Sequence, residues 1–236
     1  MIPPVNIPHD ANFASVVSLW RMIGVPLSTT FVQDCAAGTA INSLNGCILV
    51  NASVSAPSSD GPFANTTCAR IVSSAQIATG SGTGSGTYTF GTSDYTVELW
   101  ARWTLITGDQ TLFDMRPAST NGNYLVLHKD TTTIGFYFNS GERINGGTIA
   151  VDTWYHIALC RVSGTTRLFI DGTQVGSDYT DSNSYLSDST TAYRIGLSSF
   201  GTGQMSGYLG PGRITKGVGR YSANFTRPGW IFPLHI

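Results

Sequence analysis

Short runs of alternating apolar and polar residues, separated by Gly, Asp, Asn and Ser, fill the chain from residue 86 onward. Apolar residues at helical spacing do not recur over any long window, so the period is that of strands. In Asp94–Trp103 the alternation puts Tyr95, Val97, Leu99 and Ala101 on one face, and Thr96, Glu98, Trp100 and Arg102 on the other. Similar runs predict strands over Gly86–Phe90, Thr111–Arg116, Tyr124–His128, Thr133–Asn139, Thr153–Arg161, Arg167–Ile170, Thr173–Gly176, Ala192–Leu197 and Gly207–Ile214. Turns are expected at Gly108-Asp109, Lys129-Asp130 and Ser163-Gly164. Asp171-Gly172 is the strongest hairpin signal, because a type I′ turn needs positive φ at both central residues. Strands spaced about 8–12 residues apart, with polar turns between them, predict an all-β, two-sheet antiparallel sandwich rather than βαβ units.

Upstream the pattern is weaker. Residues 1–12 carry Pro3, Pro4 and Pro8 and read as an extended arm, with 13–236 as a single sandwich whose N-terminal strands complete the sheets. The glycine-rich stretch Gly80–Gly86 reads as a loop within that sandwich, with an interdomain linker as the other reading. It matches neither phosphate-cradling glycine motif.

With 236 residues the chain needs no disulfide or metal staple to build a core. Only 11% of residues are charged, against about 25% in ordinary soluble domains, so hydroxyls, amides and backbone must make up the surface. That suits a turn-rich β protein, or one that lies against neighbours. The net charge is −1 and Lys and Arg form no run, which argues against a nucleic-acid partner. No apolar stretch of about 18 residues encodes a membrane span, and Val16–Leu27 is broken by Arg21 and Pro26. Met1–Val5 lacks a secretory signal pattern, so synthesis in the cytoplasm is expected. Of the four cysteines, Cys160 reads as a small buried hydrophobe. Cys35 and Cys47 could pair across a hairpin, although free thiols fit a cytoplasmic origin better. Neither these nor Cys68 has metal-ligand spacing, and no cofactor is implied. His9, His128, His156 and His235 sit in unrelated contexts, and no G-x-S-x-G elbow is present.

Four segments carry a resemblance in order: Asp94–Ala101, Trp154–Leu159, Arg167–Gly172, and Tyr193–Gly196 followed by Gly207-Tyr208-Leu209. Together they resemble the laminin-G or concanavalin A-like jelly roll. The stretch Arg213–Pro228 is similar to a version frequent in structural proteins of tailed bacteriophages. Trp100 and Trp154 are expected to supply large apolar area, and Tyr208, Ile214, Tyr221 and Phe225 to anchor the closing segment. One departure stands out. Relatives commonly carry two acidic residues after the Gly-Tyr-apolar step, where this chain reads Gly210-Pro211-Gly212. A calcium site at that place would lack its carboxylates. Asp178, Asp181 and Asp188 could offer oxygen ligands elsewhere, although a solvated loop is the better reading. The fold also hosts glycosidases, which need two facing carboxyl groups. This chain has only Glu98 and Glu142, and lacks the close E-x-D-x-x-E spacing of those enzymes.

The resemblance implies a non-enzymatic virion structural protein of a bacteriophage, such as a capsid decoration or head-associated protein. Its partners would be viral capsid or other virion proteins and further copies of itself. Pro3, Pro4, Pro8, Trp230, Phe232 and Leu234 would supply the contacts. The alternative is a carbohydrate-binding, lectin-like host-recognition module with glycan contacts at Tyr179, Tyr185 and Phe200. A glycoside hydrolase acting through Glu98 or Glu142 is the third reading.

Overall fold

A computed structural model describes residues 10–23, 32–34, 47–50, 61–63, 68–71, 76–79, 86–117, 120–187, 193–230 and 232. Pro3, Pro4, Pro8, Leu234, Asp188, Cys35 and the Gly80–Ser85 part of the glycine-rich stretch lie outside these residues, as do nine of the twelve residues of the expected arm.

The strands are β1 (Val16–Ile23), β2 (Val32–Asp34), β3 (Cys47–Val50), β4 (Ala69–Ile71), β5 (Gln76–Thr79), β6 (Tyr95–Trp103), β7 (Asp109–Asp114) and β8 (Leu125–Asp130). They continue as β9 (Thr133–Phe138), β10 (Gly141–Gly146), β11 (Trp154–Val162), β12 (Thr165–Ile170), β13 (Thr173–Thr180), β14 (Arg194–Ile195) and β15 (Gly207–Lys216). One sheet runs β13-β12-β11-β6-β15-β1-β2, with β4 also on β15. The other runs β10-β9-β8-β7-β14-β5-β3, and the recorded pairings in both sheets are antiparallel. This is the expected two-sheet sandwich.

Hairpin chemistry sets the register. Asp171 and Gly172 both have positive φ, as a type I′ turn requires. So do Ser163-Gly164 between β11 and β12, and Asn139-Ser140 between β9 and β10. The turn expected at Lys129-Asp130 lies two residues later, at Thr131-Thr132. Lys129 belongs to β8, where its buried ammonium donates to the carbonyls of Ile106, Gly108 and Thr131. Gly86–Phe90 forms turn and coil instead of a strand, joined to the fold by the bridge Gly91–Tyr185.

Between the sheets, Trp20, Trp103, Tyr95, Val97, Leu99, Phe113, Phe136 and Leu159 form one continuous core with their neighbours. Trp100 and Trp154 are not in this seam. They sit on the outer face of the first sheet with Val16, Leu19 and Phe232. The C-terminal segment covers that face as a third layer. Tyr221 and Phe225 stack at 3.6 Å and pack on Ala158, Cys160 and Phe169. β6 is therefore buried on both faces, which is why polar Thr96 and Glu98 are hidden with it.

Candidate functional site

The outer face of the second sheet is partly open to solvent: Tyr124 and Tyr137 are half-buried there, whereas Asp114, Val126 and His128 are buried. Leu125 and Leu127 of β8, and Ile134, Phe136 and Phe138 of β9, point into the core. Alternation sends Val126, His128 and Tyr137 the other way. Register lines up Asp114, Val126, Tyr137 and Glu142 as one cross-strand row. Where this row meets the strand ends, Arg116, Asn121, Tyr124, Tyr137, Asn139 and Ser140 bound a depression enclosing about 210 Å³, part of it open solvent.

Arg116 is held firmly. Its Nε bonds both oxygens of the buried Asp114 carboxylate, its Nη2 bonds Asp114 Oδ2 at 2.7 Å, and its Nη1 donates to Asn121 Oδ1. The guanidinium also lies 4.4 Å over the Phe200 ring. Asp114 Oδ2 accepts from the backbone of Ser199, which ties the Phe200 loop to the same carboxylate. On the far side of Tyr137, His128 sits edge-on to its ring at 4.3 Å. Its Nδ1 is 2.9 Å from Asp109 Oδ1. Its Nε2 is 3.3 Å from Glu142 Oε1, close enough for charge attraction but not aligned as a hydrogen bond. The His128 contact, acting against burial, lowers the Asp109 pKa. Burial, then Glu142, Asp109 and Asp130, raise that of the Tyr137 hydroxyl. Gly135 faces the imidazole, and a Cβ there would overlap both the ring and the Glu142 carboxylate.

The two glutamates lie on opposite outer faces. Glu98 is wholly buried under the C-terminal segment. Its Oε1 accepts from Arg213 Nε at 2.6 Å, and its Oε2 from His156 Nε2 and the Tyr221 hydroxyl. Asp10 completes the cluster by pairing with Arg213 and Arg220. Burial alone would raise the Glu98 pKa, but Arg213, His156 and Arg220 outweigh it and hold it far below the ordinary carboxylate range. Glu98 and Glu142 therefore cannot face one another across a sugar bond.

The expected contact residues fare differently. Phe200 is on the surface against the Arg116 guanidinium, but it does not itself border the depression. Tyr179 is half-buried on β13 and accepts a hydrogen bond from Asn183. The expectation for Tyr185 is overturned: its ring is 0% exposed in the core and its hydroxyl donates to Asp181 Oδ2 at 2.6 Å. Phe232 is likewise overturned as a contact for another molecule. It is 2% exposed, beneath the Arg213 guanidinium and against its own sandwich. Trp230, 69% exposed, is free to touch a partner. Asp178 and Asp181 do not converge. Asp178 pairs with Arg167 and Gln174 at the surface, whereas Asp181 accepts from Thr166, Tyr185 and Asn183 inside.

The stretch Gly210-Pro211-Gly212 lies within β15 and does not fit calcium. Gly210 faces Trp100 and Pro62, and Gly212 faces the Trp20 ring and the Glu98 carbonyl, so a side chain at either would collide. Of the two acidic places, Gly210 admits Trp100 and Pro211 occupies the other, so neither carries a carboxylate. Sequence reasoning did not single out Tyr124 and Tyr137. The signal was present, since Tyr137 lies between inward-facing Phe136 and Phe138 and must point outward.

The family model described as the concanavalin A-like lectin/glucanases superfamily matches residues 73–217. No curated protein matches the chain. Among solved structures, a candidate carbohydrate binding protein from Bacteroides ovatus is similar with a TM-score of 0.50 and 16% identity, covering 65% of this chain and 44% of that one. A Trypanosoma rangeli sialidase in complex with sialic acid is similar with a TM-score of 0.58 and 12% identity, covering 91% of this chain. The chain thus spans less than half of the first and 32% of the second. At such identities the likeness is one of fold. With the matched segment covering most of the sandwich, the chain belongs to the concanavalin A-like lectin/glucanases superfamily.

Proposed function

We propose that this chain is a non-catalytic carbohydrate-binding module that takes its glycan in the depression on the outer face of the second sheet. One observation carries the reading. Two tyrosines, Tyr124 and Tyr137, share a shallow solvent-open hollow with the polar groups of Arg116, Asn121 and Asn139. Sugars offer apolar C–H faces and a fringe of hydroxyls, so they bind where aromatic surface lies beside fixed amide and guanidinium groups. The similarity to a candidate carbohydrate binding protein supports the same reading. Non-catalytic action is supported by the placement of Glu98 and Glu142 on opposite faces, with Glu98 fully occupied by Arg213, His156 and Tyr221.

Glycan-array binding tests the proposal. Tyr124→Ala and Tyr137→Ala are each expected to weaken binding by about tenfold or more, equivalent to roughly 1.4 kcal/mol, with an unchanged circular dichroism spectrum. Retained affinity in both variants would move the site elsewhere. Turnover of a bound polysaccharide would overturn the non-catalytic part.

A second reading, a virion structural role through protein contacts, draws on the resemblance of Arg213–Pro228 and on the exposed Trp230. If Trp230→Ala weakens attachment to a particle while glycan binding is kept, that surface is a protein contact.

A further inference from the structure

We propose, resting on the glycan reading above, that the depression receives one uncharged sugar residue end-on, at the terminus of a glycan, and not the middle of a chain.

Shape carries the first half. The β9–β10 turn at Asn139-Ser140 and the loop at Asn121-Gly122 both border the hollow. They are joined by a backbone hydrogen bond from Asn139 N to Gly122 O, at 3.2 Å. That link closes the hollow on one side, where a polymer threading through would have to leave. Its border comes from three short stretches only, residue 116, residues 121–126 and residues 137–140, a compact footprint and not a groove along the sheet.

Charge carries the second half. Arg116 is the one cation bordering the hollow among the described residues, and the buried Asp114 carboxylate directly behind it neutralises it. An acidic sugar approaching Arg116 would therefore meet an ion pair and not a free positive charge. Among the described residues, its contacts with Asp114 and Asn121 leave one N–H on each terminal nitrogen for a ligand. Two donors so spaced match a pair of neighbouring hydroxyls. Past Tyr137 the same face carries two carboxylates, Asp109 hydrogen-bonded to His128 and Glu142 within 3.3 Å of the same ring, which disfavours a further anion.

Titration calorimetry of the whole chain tests this with named probes: methyl glycosides of glucose, galactose, mannose, xylose and arabinose, the matching di- and tetrasaccharides, glucuronate, galacturonate and N-acetylneuraminate. One neutral sugar is expected to bind as a monosaccharide within about threefold of its tetrasaccharide. Its acidic counterpart is expected to bind about tenfold more weakly at low salt, the gap narrowing as salt is added. Affinity that climbs with each added residue overturns end-on recognition, and tighter binding of an acidic sugar overturns the charge argument. Either result leaves the glycan reading intact provided Tyr137→Ala still weakens binding by about tenfold or more. Absence of binding to every probe and to the glycan array sinks both.

Discussion

At the residue scale, Glu98 shows how a polar side chain at a strand's midpoint acquires its role from what lies on top of it. Its carboxylate joins β6 to β11, β15 and the C-terminal segment through His156, Arg213 and Tyr221. Removing one partner of such a group leaves opposite charge stranded without water. Glu98→Gln is expected to cost about 3–5 kcal/mol of unfolding free energy, measured by urea denaturation. Cys160 illustrates burial acting on a thiol. Burial pushes its pKa up to about 11, against hydrogen bonds from Thr96 and the Tyr221 backbone. A thiol that is both protonated and inaccessible does not react. Iodoacetamide treatment of the native protein at pH 8, followed by peptide mapping, is expected to leave the Cys160 peptide unlabelled until denaturant is added.

At the scale of elements, the hairpins do more than reverse the chain. Gly172 has a φ of +79°, and a Cβ there would run into the Phe225 carbonyl. Phe225 N in turn donates to Gly172 O at 2.9 Å, and Asn224 Oδ1 accepts from Gln174 N. The β12–β13 turn is thus the dock for the C-terminal layer. Gly172→Ala is expected to lower the unfolding free energy, measured by urea denaturation, by more than the roughly 1 kcal/mol of a strained Gly→Ala exchange alone, because both backbone and docking suffer. Gly201→Ala is the control, since Gly201 has a similar φ of +73° and nothing near its Cβ direction.

Across the whole molecule, the two outer faces divide the work. The first is sealed by its own C-terminal segment and held by Asp10, Glu98, Arg213 and Arg220. The second is partly open to solvent at the tyrosine-bordered depression. Asp10, Glu98 and Asp109 all have pKa values below ordinary carboxylates, so these groups bind fewer protons folded than unfolded. Their stabilisation is fully present above about pH 5 and disappears as pH falls through the depressed folded values, well below about pH 4. A thermal melting series from pH 7 to pH 2 is expected to be flat to about pH 5 and then to fall steeply. A profile that rose on acidification would contradict the network.

Much of this was legible in the residues alone. The period-two alternation determined the sandwich, and Asp171-Gly172 and Ser163-Gly164 determined two of its turns, since both depend on local backbone preferences. Local pattern could not say which face of β6 would be covered, because that depends on Tyr221, Phe225 and Phe232 folding back more than a hundred positions later. The same limit placed Trp100 on an outer face, buried Tyr185 and Phe232, and brought Arg116, Tyr124 and Tyr137 around one hollow. Side-chain direction is a local property of the strand, whereas burial belongs to whatever distant segment comes to lie against it.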